Sequence, residues 1–78
     1  MKEAVGYAVY AGEDCMVATI SPTEVGAHVN FLIIVPRIMA LDQWTDAYIK
    51  QMFDRLTVGS KYKCVRVCIN PAQDPGHD

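Results

Sequence analysis

The chain has 78 residues, of which 51% are hydrophobic and 21% charged, and its 7 basic against 9 acidic side chains give a net charge of −2. This length holds a single domain, the apolar content excludes a disordered chain, and the charge balance excludes a broad basic surface for nucleic acid. A domain this small buries only about 60% of the surface its unfolded chain exposes, so association is a ready way to cover the surplus.

Residues 3–10 (Glu-Ala-Val-Gly-Tyr-Ala-Val-Tyr) read as a first strand. The short, turn-rich Ala11-Gly12-Glu13-Asp14 predicts a hairpin into a second strand at residues 15–20. Ser21-Pro22-Thr23-Glu24-Val25-Gly26 reads as a connector punctuated by Pro22 and Gly26. A third strand is expected over residues 28–35, where the apolar run Val29-Asn30-Phe31-Leu32-Ile33-Ile34-Val35 is halted by Pro36. Strand side chains alternate, so Phe31, Ile33 and Val35 would face one way and Leu32 and Ile34 the other. Apolar residues on both sides predict a strand covered on both faces.

The clearest element is a helix that follows. Asp42 is placed to cap it, because a carboxylate there accepts from backbone N–H groups two or three residues on. Leu41, Trp44, Tyr48, Ile49, Met52, Phe53 and Leu56 gather on one broad half of the cylinder, with Gln43, Asp46, Lys50 and Asp54 on the other. Asp46 and Lys50 stand at i, i+4 in the favourable orientation. Gly59 is placed to end the helix as a left-handed cap. A last strand over residues 62–69 puts Val65, Val67 and Ile69 on one face and Cys64, Arg66 and Cys68 on the other. The domain is expected over residues 1–70, with a mobile C-terminal tail, rich in proline and lacking apolar periodicity, over residues 71–78.

The expected fold is α+β, a two-layer β-β-β-α-β arrangement with one helix packed on a mainly antiparallel four-stranded sheet. A helix of about 16 residues is ~24 Å long and ~10 Å wide, against a four-stranded sheet roughly 19 Å across. It covers about half of one face and none of the other. The second strand carries Met16, Ala18 and Ile20 on one side and Cys15 and Val17 on the other, so its apolar character is also two-sided. This surplus predicts a homodimer through the helix-free face or a sheet edge.

Chemistry-bearing constellations are sparse. Cys64 and Cys68 share a strand face about 13 Å apart, too far for a disulfide or for one tetrahedral zinc without bending the strand. Cys15, Cys64 or Cys68 could still meet His28 across adjacent strands, yet buried structural thiols are far commoner, and His28 reads more simply as an exposed polar residue at a strand entrance. No cysteine stands at a helix N-terminus, where a depressed thiol pKa would arise. Glu13, Asp14, Asp42, Asp46 and Asp54 each have a solvated explanation, and no phosphate loop, zinc-protease motif or nucleophile elbow occurs. No catalytic residue, metal site or cofactor is therefore expected. The three cysteines are an odd number, the start Met1-Lys2-Glu3-Ala4-Val5-Gly6 has no signal-type apolar stretch, and the run at 29–35 is far short of the ~20 residues that span a bilayer. A reduced, cytoplasmic protein without membrane or nucleic-acid partners is the expectation.

The aromatic residues are the better guide. Trp44 and Tyr48 lie one helical turn apart, and Trp44 sits at the flank of the apolar arc, where it could anchor a partner. Tyr7 and Tyr10 have opposite parity, so one faces the helix and the other faces away. Candidate interface or pocket residues are Tyr10, Leu32, Ile34, Trp44, Tyr48, Met52 and Phe53. By size and shape the chain resembles, in a general way, the small accessory proteins of phages and mobile elements, which act by binding a larger protein. The functional expectation is a non-enzymatic, dimeric interaction module, an inhibitor or regulator. The alternative is a small-molecule binding domain with an apolar pocket between sheet and helix, lined by Tyr48, Met52 and Phe53, or at the dimer seam. A third reading is an enzyme with a Cys/His site formed across a dimer interface.

Overall fold

The computed structural model describes residues 4–69. Strands β1 (Ala4–Ala11) and β2 (Asp14–Ser21) form the expected hairpin, followed by helix α1 (Glu24–Ile34), a 3-10 turn (Leu41–Gln43), helix α2 (Asp46–Thr57) and strand β3 (Tyr62–Ile69). The class is α+β, as expected, but the order is β-β-α-α-β and the antiparallel sheet has three strands, β2-β1-β3. The last strand lies beside the first: Ala8 opposes Val65 and Val9 opposes Cys64. The proposed tail at 71–78 lies outside the described residues.

The principal correction concerns the run at 29–35, which is helical through Ile34 rather than a strand. Thr23 starts the helix: its side-chain oxygen accepts from the Gly26 N–H at 3.0 Å, and Glu24 follows in the first turn, where a carboxylate meets the positive end of the helix dipole. Ala27, His28, Phe31 and Leu32 recur at helical spacing and are buried, whereas Ile33, Ile34 and Val35 are exposed. Pro36 ends the element all the same, after the Val35 N–H has donated to the Phe31 carbonyl at 2.9 Å. Gly26 permits a close approach, because a Cβ there would overlap the Ser21 hydroxyl at the end of β2.

Asp42 is not the cap of α2. It lies in the 3-10 turn, and Thr45 accepts from the Tyr48 N–H at 3.1 Å in its place. Lys50 pairs with Asp54 at 3.3 Å rather than with Asp46, and both side chains are exposed. Ile49, Phe53 and Thr57, each one turn from the next, form the buried stripe of α2, narrower than the apolar half read from sequence because Tyr48 and Leu56 stay exposed. Gly59 has φ +73°, the left-handed conformation expected of it at the end of α2.

Helix α1 lies across all three strands and α2 packs against α1. The core is Val9 of β1 with Phe31, Leu32, Leu41, Ile49 and Phe53, joined by half-buried Met16, Tyr62 and Cys64. The rings of Phe31 and Phe53 meet edge to face at 5.2 Å, and Phe31 meets Tyr62 at 4.9 Å.

Strand β2 is irregular. Val9 opposes Met16 and Tyr7 opposes Ser21, so β1 passes one residue, Ala8, while β2 passes through Val17, Ala18, Thr19 and Ile20. The fully buried Thr19 holds this bulge: its hydroxyl donates to the Met16 carbonyl at 2.6 Å and accepts from the Val9 N–H at 2.8 Å. Asn30 of α1 fastens the far side by donating to the Thr19 carbonyl at 3.2 Å. The register of β2 shifts at the bulge, while β3, at the other edge of the sheet, pairs with β1 in unbroken register.

Candidate functional site

Three surfaces have the shape or chemistry of a site. The first is the sheet face turned away from the helices. Val9, Met16, Tyr62 and Cys64 belong to the helix-covered core, so strand alternation puts Gly6, Ala8, Tyr10, Cys15, Lys63, Val65 and Val67 on the opposite face. Among the described residues no helix is placed over that face, although Gly6 and Ala8 in its middle are buried, Ala8 fully. Val65 is 40% exposed, and Val17, at the start of the bulge, is 71% exposed. Tyr10 is half-buried there, and the adjacent Cys15 pushes its phenol above the ordinary range.

The second is an apolar groove of about 520 Å³ between α1 and the start of α2. Val29 and Ile33 form one wall, Leu41, Trp44 and Ile49 the other, and Asp42 and Asp46 add two carboxylates. Trp44 is half-buried and meets the exposed Tyr48 edge to face at 4.7 Å.

The third is a polar cleft of about 350 Å³ at the other end of α1, where α1, α2 and β3 converge. Glu24 and His28 stand one turn apart on α1 and so point the same way. Cys64 comes from the helix-facing side of β3. A Glu24 carboxylate oxygen, an imidazole nitrogen of His28 and the Cys64 sulfur all lie within 4.8 Å of one another. His28 is only 2% exposed, its ring stacks on Phe53, and its buried Nδ1 has no hydrogen-bond partner among the described residues. The Lys50–Asp54 pair lines the same cleft.

Burial dominates the electrostatics here. It holds the His28 imidazole below its ordinary pKa, with Lys50 acting in the same direction and Glu24 and Asp54 opposing. It also pushes the Cys64 thiol up, and the Glu24 carboxylate adds to that effect. A neutral thiol beside a neutral imidazole is the reverse of the thiolate–imidazolium pair of a cysteine nucleophile.

The residues singled out from sequence are dispersed. Leu32 and Phe53 are core residues, although the Phe53 ring also floors the polar cleft. Trp44 and Tyr48 are brought together at the groove, Ile34 is exposed at the end of α1, and Met52 is half-buried on α2. Tyr10 lies on the far face of the sheet. Of the residues expected to line a pocket, Tyr48, Met52 and Phe53, only Phe53 lines one of the two described here, the polar cleft, while the apolar groove runs between the helices. His28, read as exposed, is buried. The Glu24–His28 spacing of four was the signal for the cleft, and it becomes visible only once residues 24–34 are read as a helix.

No helix among the described residues is long and apolar enough to cross a membrane. Comparison of the chain with protein-family models, with curated proteins and with solved structures finds no match.

Proposed function

We propose that this chain is a small non-enzymatic interaction module that works as a homodimer, two copies pairing through the helix-free face of the sheet. The observation behind this reading is that exposed apolar side chains, Val17 and Val65 foremost, stand on a face that no described helix covers. Gly6 and Ala8 at its centre are already buried within the protomer, so the contact with a second sheet, at the usual ~10 Å, falls on the exposed Val17 and Val65 beside them. Among the described residues Lys63 is the one charged residue that the register assigns to that face, beside Tyr10 at one end, and a two-fold axis near Ala8 sets the lysines of the two copies at opposite ends. Three strands of eight residues give a footprint of about 14 × 26 Å, small against the ~800 Å² per partner of a standard interface. The dimer is accordingly weak and reversible, with a dissociation constant in the micromolar range.

The Trp44 groove remains open in such a dimer and serves to hold a larger protein that the module inhibits or regulates. Its apolar walls and the carboxylates of Asp42 and Asp46 suit an apolar segment carrying a basic residue. Light scattering tests the dimer: mass rises with concentration for the wild type, and Val65→Lys holds it at the monomer value. A wild type monomeric at several hundred micromolar overturns the reading.

A second reading is favoured by the groove volume, which falls in the size range of small-molecule sites. A metabolite that raises the melting temperature of the wild type and not of Trp44→Ala would establish it in place of a protein partner.

A further inference from the structure

We propose that Glu24, His28 and Cys64 form a binding site for a divalent transition-metal ion of zinc type, a property separate from dimerisation. Carboxylate oxygen, imidazole nitrogen and thiolate sulfur are the three donor types that such an ion takes. Bond lengths of ~2.0–2.3 Å place tetrahedral ligand atoms ~3.3–3.7 Å apart, so donors already within 4.8 Å need to close by only about 1 Å. The parts that must move are able to do so. Glu24 is exposed in the first turn of α1, and Cys64 is half-buried on an edge strand. His28, by contrast, is fixed by its stack on Phe53.

The buried imidazole is the independent sign of a ligand. A histidine kept only for packing leaves nothing gained over phenylalanine at this position, yet here a nitrogen is withdrawn from water and given no protein partner. The ring nitrogen that lies in the cluster would gain a partner in a metal ion. Binding displaces the thiol proton of Cys64 to solvent and forms the metal–sulfur bond. Lys50 and Lys63 both line this cleft and oppose a cation there, and Asp54, bonded to Lys50 at 3.3 Å, offsets one of those charges. Three protein ligands leave a fourth coordination position facing the cleft, for water or for an atom of a bound molecule.

The test is a Co²⁺ titration of the tag-free, reduced full chain, followed by Zn²⁺ competition. The expected result is one Co²⁺ per chain with a thiolate charge-transfer band, displaced by Zn²⁺. Cys64→Ser abolishes the band and His28→Phe, which keeps the stacked ring, weakens binding by ~100-fold or more. Glu24→Gln, an exposed change that leaves the fold intact, weakens it by about 10-fold or more. Cys15→Ser and Cys68→Ser leave binding unaltered. A band that survives in Cys64→Ser, or disappears in Cys15→Ser or Cys68→Ser, overturns the site. So does unchanged affinity in Glu24→Gln, or a wild type that takes up no Co²⁺ or Zn²⁺.

Discussion

The ring of His28 stacks on that of Phe53 with centroids 4.2 Å apart and planes inclined by 23°. The stack ties α1 to α2 and keeps an imidazole in an apolar wall, so the charged form is disfavoured in the folded metal-free protein. Glu24 and Asp54 favour the charge, and Lys50 opposes it together with burial.

Stability should therefore depend on pH through this group. An unfolded imidazole titrates near 6.5 and the folded one lower, so the unfolded chain takes up the proton first. The contribution is fully present above pH 6.5, declines as the pH falls below it, and levels off once the folded ring is protonated too. Urea denaturation of the metal-free protein at a series of pH values should show this slope, and His28→Phe should flatten it. A wild type that gains stability on acidification through that window would contradict the assignment.

A pair of alanine substitutions separates the two possible conformations of the apolar run. In a strand Leu32 and Ile34 share a face and would respond alike; in α1 Leu32 is fully buried and Ile34 is 41% exposed. Leu32→Ala should cost about 2–5 kcal/mol and Ile34→Ala less than about 1 kcal/mol, read from denaturation midpoints. Equal losses would argue for the strand.

The caps give a parallel contrast. Thr23→Ala and Thr45→Ala each remove an acceptor from a helix N-terminus and should cost about 1 kcal/mol. Asp42→Ala, in the 3-10 turn, should leave stability within about 0.5 kcal/mol.

Thr19→Val keeps the shape of a fully buried side chain while removing the hydroxyl that serves the Val9 N–H and the Met16 carbonyl. Leaving the Val9 N–H without a partner should cost about 1–3 kcal/mol despite the more apolar residue. Unchanged stability would show that the bulge of β2 does not depend on this clamp.

Sequence made the three observed strands, α2 and its glycine stop legible, because each carries its own period or turn residue. Helix α1 was hidden for a physical reason. Val29, Phe31, Leu32 and Ile33 are apolar around much of the cylinder, since the helix meets the sheet on one side and the groove beside α2 on another, so no helical stripe stands out. Its β-branched residues and closing Pro36 imitate a strand, and its cap, Thr23, stands in a Ser-Pro-Thr stretch that reads as a loop. The same misreading hid the polar cleft, whose Glu24 and His28 become neighbours only on a helix. Trp44 and Tyr48 were legible as a pair because α2 was.

Reading the run as α1 removes the doubly covered strand yet leaves the sheet with a face that no described helix covers, now made by Tyr10, Cys15, Val65 and Val67 around the buried Ala8. The most direct test of pairing through that face is a dilution series followed by backbone amide NMR. Concentration-dependent shifts confined to β1, β3 and the start of β2, with amides of α1 and α2 unmoved, are the predicted result. Shifts centred on Ile33 and Trp44 instead, or no shifts across the series, would contradict it.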